Sequence, residues 1–363
     1  MNETIPAPVA ASESPRRKGG RIAWLDSARG AGIILVVLGH ALGGLIDSPL
    51  GAHLSGFHYA FFAIYTFHMP LFFMLSGLLV QQRLARGTAP FIKGLIPTVV
   101  WPYFLWSVVQ FTVIYALGSL VNRPVNVYWS TVSALPLRPI SQFWFLYALF
   151  WAHLIAVIGL PRIGREGLLV LGAVLKIIVA LVIMPVTFKL IANNFLWYAI
   201  GVYLTPRGLA ELCVDRSIAV RAAVLPLISA VLIVAALFGA ELYGSDIPLI
   251  SASSVELANL AWRLPVLATG IFGAVAAVAV ASLPIFAGPH GRGGSLAELG
   301  RLTMPIFLLH VLFIAGSRIV LSRFLHLDNP AVLLVILVAA GLIGPLVVER
   351  LLRPFRLHRW LGF

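Results

Sequence analysis

The sequence predicts an all-α fold, a polytopic membrane helix bundle of about ten transmembrane helices, and three observations carry that prediction. Of the 363 residues, 60% are hydrophobic and 11% charged, with a mean hydropathy of +0.98, values outside the range of an ordinary soluble domain. Apolar stretches of about 20 residues, each long enough to cross a bilayer as a helix, occupy nearly the whole chain and leave no room for a soluble domain. The basic residues stand singly between those stretches instead of forming a dense stripe. The net charge of +13 therefore points to membrane topology and not to a nucleic-acid partner.

Residues 1–20, with the run Pro15-Arg16-Arg17-Lys18, have too little apolar surface to fold and read as a disordered basic cytoplasmic tail. The first apolar segment runs far past the length of a secretory signal core, so it reads as a retained helix. Residues 21–363 then form one integral-membrane domain. The expected spans are about 22–46, 58–81, 94–118, 141–160, 167–185, 187–205, 221–240, 263–285, 302–321 and 331–351. The short junction around Pro185 also allows a broken or re-entrant helix there.

Charge orients the bundle. With the N-terminus inside, the inner segments hold Arg16, Arg17, Lys18, Arg21, Arg83, Arg86, Lys93, Arg162, Arg165, Arg207, Arg216, Arg221, Arg292, Arg301, Arg350, Arg353, Arg356 and Arg359, which is 18 of the 26 basic residues. The outer loops hold six: Arg123, Arg138, Lys189, Arg263, Arg318 and Arg323. By the positive-inside rule both termini lie in the cytoplasm. The outer loop from Glu241 to Trp262 carries Glu241, Asp246 and Glu256 without a basic residue. The single cysteine, Cys213, excludes an intrachain disulfide and offers no cysteine-ligated metal site.

The first span places Arg29 and His40 within an apolar segment. They are eleven residues apart, almost three turns, so both project from one helix face with about 16 Å between them in height. Ionisable residues within a span cost on the order of 2.5 to 3.5 kcal/mol each on insertion scales, so the pair suggests a polar cavity. The plainer reading is that Arg29 snorkels to the headgroups and His40 satisfies a neighbouring carbonyl.

The second span holds His68, two residues before Pro70, with Ser76-Gly77 further on; the proline frees a backbone carbonyl and the small pair permits close approach of another helix. His68 and His40 lie on oppositely directed helices at different depths, and contact between them is not required. The fourth span opens with Ser141-Gln142-Phe143-Trp144-Phe145-Leu146-Tyr147, read as an interfacial aromatic belt or an aromatic floor for a sugar ring. Lys176, Asn193 and Asn194 are further polar intrusions. The ninth span places His310 about halfway across. No two of the histidines at 40, 68 and 310 stand at ligand spacing and no carboxylate joins them within a span, so no metal site is expected.

Leu25-Asp26-Ser27-Ala28-Arg29-Gly30 leading to Gly39-His40, then FHMPLFFMLSGLL, FWFLYALF and TMPIFLLH, in this order on successive spans, resemble the acyltransferase family 3 membrane proteins, within them the fucose 4-O-acetylase-like group. The resemblance covers everything after the tail. It implies an O-acyltransferase that moves an acyl group, usually acetyl, from cytoplasmic acetyl-CoA to a hydroxyl of an extracytoplasmic glycan or glycolipid. It also implies that Arg29 and His40 are essential. Arg29, permanently charged and rich in donors, suits the donor's phosphate or carbonyl and is the co-substrate-binding candidate. His40, with an ordinary pKa near 6.5, suits proton transfer from the acceptor; whether it becomes transiently acylated is open. Asp26, His68, Ser76, Trp144, Tyr147 and His310 are the further candidates for substrate contact. Acetyl-CoA is expected as a donor and no cofactor as a resident. Some members of the family carry an extra soluble domain at the C-terminus; none is expected here. The expected location is a bacterial inner membrane, with oligomeric state left open. A carrier or flippase for a lipid-linked sugar is the competing class, since buried histidines, prolines and a polar stripe also serve transport.

Overall fold

A computed structural model describes residues 22–51, 55–124, 127–217, 258–283, 286 and 294–363. The tail 1–20, the expected seventh span at 221–240 and the acidic loop residues Glu241, Asp246 and Glu256 lie outside the described residues. The other nine expected spans all fall on helices. These are α1 (Ala23–Ile46), α2 (Ser55–Gly77), α3 (Val80–Leu84), α4 (Thr88–Leu95), α5 (Trp101–Leu117), α6 (Tyr128–Ala134), α7 (Trp144–Leu181), α8 (Val186–Leu209), α9 (Ala258–Ala281), α10 (Ser295–Arg301), α11 (Thr303–Ile319), α12 (Pro330–Leu352) and α13 (Leu357–Trp360).

Six helical stretches among the described residues are long and apolar enough to cross a membrane. Their apolar surface faces outward as well as inward. In α12 the inward residues recur every fourth position, Leu333, Leu337, Gly341, Pro345 and Glu349, while Val335, Ile343, Val347 and Leu351 are exposed. Its most apolar stretch has a mean hydropathy of 2.9 and is only 22% buried, a surface that lipid covers and water would not tolerate. The chain is an all-α polytopic membrane bundle.

Helix α1 is the hub: α2, α9, α10, α11 and α12 all pack against it. Its side toward α2 is a seam of small residues, with Gly32 meeting Phe72, Gly39 meeting Tyr65 and Gly43 meeting Phe61. The falling numbers on α2 show that the two run antiparallel. Against α11 the numbers rise together, Gly44 meeting Ile314 and His40 meeting His310, so these two run parallel.

The close approach expected at Ser76-Gly77 is made by Gly77 alone, where a Cβ would strike the Tyr198 carbonyl of α8; Gly201 makes the reciprocal approach to the Met74 carbonyl. Ser76 donates to the Phe72 carbonyl of its own helix. Gly77→Ala is expected to destabilise the bundle by on the order of 1–3 kcal/mol through overpacking. Thermal unfolding of the purified protein in detergent would show a lowered midpoint; an unchanged midpoint would contradict the crossing.

The expected spans 141–160 and 167–185 are consecutive parts of α7, broken at Gly164, whose φ of 68° no helix adopts. A turn around Pro185 then reverses the chain, and α8 packs back along α7. Lys176 finds its partner across this hairpin: its Nζ donates to the Asn193 side chain at 2.7 Å and lies over the Trp197 ring. Asn194 donates to the Leu190 carbonyl.

Candidate active site

Two polar clusters lie toward opposite ends of α1. The first forms where α1, α2 and α11 meet. His310 is fully buried, and its Nδ1 lies 3.0 Å and 2.9 Å from the carbonyls of Ile306 and Phe307. A ring nitrogen that close to carbonyl oxygens carries the hydrogen, so Nδ1 donates and Nε2 keeps its lone pair. That Nε2 is buried without a hydrogen-bond partner among the described residues. The His310 ring meets His40 edge-on at 4.9 Å between centroids. His68, also buried, donates in the same way from Nδ1 to the Ile64 carbonyl at 2.8 Å.

His40 differs from both. Among the described residues it makes no hydrogen bond, so it does not satisfy a neighbouring carbonyl as the plainer reading of the sequence had it. It is partly open, with a ring neighbour on α11 and another on α2, Tyr65 at 6.3 Å. Tyr65 also meets His68, at 4.8 Å. Tyr65 thus joins two histidines that the sequence left apart. Sequence reasoning passed over it because one tyrosine in an aromatic helix carries no local signal; only the register between α1 and α2 brings it here.

The second cluster lies near the amino-terminal end of α1. Asp26 is buried, and its carboxylate accepts from Arg29 Nη1 at 3.4 Å, longer than a strong charge-assisted bond. Among the described residues most of the five donors of Arg29 are uncommitted. Helix α10 pins this turn: Gly30 and Gly300 cross so closely that a Cβ on Gly300 would strike the Asp26 carbonyl. Arg83, which follows α2, is within electrostatic reach of Arg29, of buried His153 and of buried Tyr198. The His153 and Tyr198 rings lie 5.2 Å apart between centroids, and among the described residues the Tyr198 hydroxyl has no hydrogen-bond partner. Two arginines with one carboxylate make this end positive. His153 lies within the expected span 141–160, where sequence reasoning passed over it although a histidine in a span was the signal that singled out His40, His68 and His310.

Trp144 and Tyr147 join neither cluster. Trp144 packs on Phe73 and Phe145, and Tyr147 is buried beside Tyr103 and Trp151. Their neighbour Phe145 reaches Phe307 at 5.6 Å, and Phe307 reaches His310 at 6.2 Å, so this aromatic core stands behind the histidines. Among the described residues no three His, Cys, Asp or Glu side chains stand as a metal-binding group.

Residues 22–350 match the family model described as an acyltransferase domain. The chain is similar to Nodulation protein NolL of Mesorhizobium japonicum, with 28% identity over 199 residues covering 52% of this chain and 48% of that protein. The match therefore spans about half the length of that relative. No solved structure matches the chain.

Proposed function

The chain belongs to the acyltransferase family 3 of membrane proteins, and from that premise we propose that it moves an acetyl group from cytoplasmic acetyl-CoA to a hydroxyl of an extracytoplasmic glycan or glycolipid. It is an integral membrane acyltransferase; the donor, the acceptor and the direction are the proposal. The observation that carries it is the contrast among the histidines. His68 and His310 have one nitrogen tied to the backbone, whereas His40 is partly open and hydrogen-bonded to nothing described, on the same helix as Arg29.

In this reading the Arg29 end of α1 faces the cytoplasm, as the excess of basic residues on the inner side supports. Arg29 and Arg83 hold the phosphates of the donor, and Asp26 keeps Arg29 in place. The acyl thioester extends toward His40, about 16 Å away along the helix. His40 takes the proton of the acceptor hydroxyl, the oxygen attacks the thioester carbonyl, and the C–S bond breaks. The proton then passes from His40 to the departing CoA thiolate, so His40 ends as it began.

In this reading His310 is the positioning residue: its Nε2 lone pair, unpartnered among the described residues and on a ring 4.9 Å from that of His40, accepts an N–H of His40 once the acceptor is bound and leaves the other His40 nitrogen as base. His310→Gln is expected to lower kcat by less than the 10²–10⁴-fold range of a lost general base, with acetyl-CoA binding unchanged. A normal kcat would remove this role.

The function is tested on purified protein in nanodiscs supplied with acetyl-CoA and an acceptor-containing membrane extract. Free thiol is expected to accumulate only when the extract is present. Equal thiol release with and without extract would contradict the transferase reading.

A further inference from the structure

Above the histidine pair, toward the carboxyl-terminal ends of α1 and α11, lies a group of charges that the mechanism does not use. Asp47 caps α1 and pairs with Arg123 Nη2 at 2.9 Å, while Asn122 of the same loop donates to the Gly44 carbonyl at 3.0 Å. The loop after α5 is thereby clasped onto the end of α1. Across from it, near the end of α11, stands Arg318. It is only 8% exposed, and among the described residues it has no hydrogen-bond or ion-pair partner. The charges that act on it are those of Arg323 and Asp47.

A buried guanidinium with no bonded partner is costly, and the cost persists only where something repays it. Asp47 does not, because its carboxylate is bonded to Arg123. One carboxylate against Arg123, Arg318 and Arg323 leaves an excess of two positive charges. The group is continuous with the reaction centre: Tyr65, the ring between His40 and His68, is within electrostatic reach of both Asp47 and Arg123. Gly44 and Ile314, which touch, fill the level between. From His310 to Arg318 is eight residues, about 12 Å of helix rise. Beyond α11 the helix widens into a π-helical turn at Val320–Phe324, a feature that often marks functional sites.

We propose that Arg318 and Arg323 bind an anionic group, a phosphate or a carboxylate, on the acceptor, about 12 Å from the hydroxyl that is acylated. The acceptor is then an acidic glycan or a phosphate-linked glycolipid, not a neutral sugar. This rests on the transferase reading above and adds a substrate class to it. The anion completes the coordination that Arg318 lacks and holds the hydroxyl at His40. Because the two arginines lie on one helix with His310, they set which hydroxyl along the acceptor reaches the histidines.

The test uses full-length protein in membranes of the source cell lacking the native gene, incubated with acetyl-labelled acetyl-CoA. Products are split into solvent-extractable lipid and aqueous glycan, and each is separated by anion exchange. Label is expected in anionic material, the fraction telling whether the anion comes from a lipid phosphate or from an acidic sugar. Arg318→Gln together with Arg323→Gln should raise the acceptor KM at least tenfold, as loss of charge-assisted bonds implies. Arg318→Lys, which keeps the charge, should recover part of that loss. Acetyl-CoA affinity of each variant reports that it is folded. Label confined to neutral glycan, or a double variant with an acceptor KM within twofold of wild type, would overturn the anion site and leave the transferase standing. No label in any wild-type fraction would overturn both.

Discussion

His40→Ala is expected to lose acyl transfer by about 10²- to 10⁴-fold while the protein still inserts, folds and binds acetyl-CoA, because removing a positioned general base costs that much. The structure makes this variant a clean one. His40 donates to nothing described, so truncation breaks no hydrogen bond, and its partly open ring leaves no sealed cavity. The same change at His68 or His310 would release a backbone carbonyl as well as a ring. The comparison is made at equal protein level with the acetyl-CoA dissociation constant measured alongside. Activity within a few fold of wild type would exclude His40 from the chemistry. Loss of both activity and donor binding would instead mark it as structural.

Arg29→Lys is expected to lose most activity, and to lose it in donor affinity. Among the described residues only one edge of the guanidinium is engaged, by Asp26 through a 3.4 Å contact, so a planar fork of donors remains for two oxygens of a phosphate. An ammonium keeps the charge and loses the fork. A snorkelling arginine that merely anchors α1 would accept lysine without cost. Titration of acetyl-CoA onto the two proteins separates the cases: a dissociation constant at least tenfold weaker in Arg29→Lys is expected, and equal constants would return Arg29 to the role of anchor. Arg83 supplies a second reading of the same end, since its charge acts on Arg29. Arg83→Gln should weaken donor binding in the same direction.

The membrane bundle was legible because it follows from composition and segment length, which local sequence carries. The placement of Arg29 and His40 on one helix followed from spacing alone. The close approach at Gly77 could also be read, since small residues in a membrane helix have few other uses. What could not be read was register between helices. His40 meets Tyr65 because Gly32, Gly39 and Gly43 let α1 settle against Phe72, Tyr65 and Phe61, and shifting that seam by one turn would bring a different residue. His310 joins them through contacts separated by 270 positions in sequence, beyond any periodicity. The surroundings of Trp144 and Tyr147 were likewise beyond local sequence: aromatic side chains at a helix start suit an interface, and only the packing shows that Tyr147 is buried against Tyr103. Arg318 was counted as an outer-loop charge, and only the packing of α11 shows that it is buried.

The central claim is that one polypeptide takes an acyl group from a donor on the Arg29 side and gives it to an acceptor on the His40 side. Proteoliposomes test it most directly. The protein is reconstituted in one orientation, checked by protease access to the N-terminal tail, with acetyl-CoA confined to the side of that tail and acceptor extract confined to the other. Acetylated glycan is expected on the acceptor side with free CoA on the donor side, in equal amounts and only in this arrangement. Product formed solely when donor and acceptor share one compartment, or acetyl-CoA carried across intact, would contradict it.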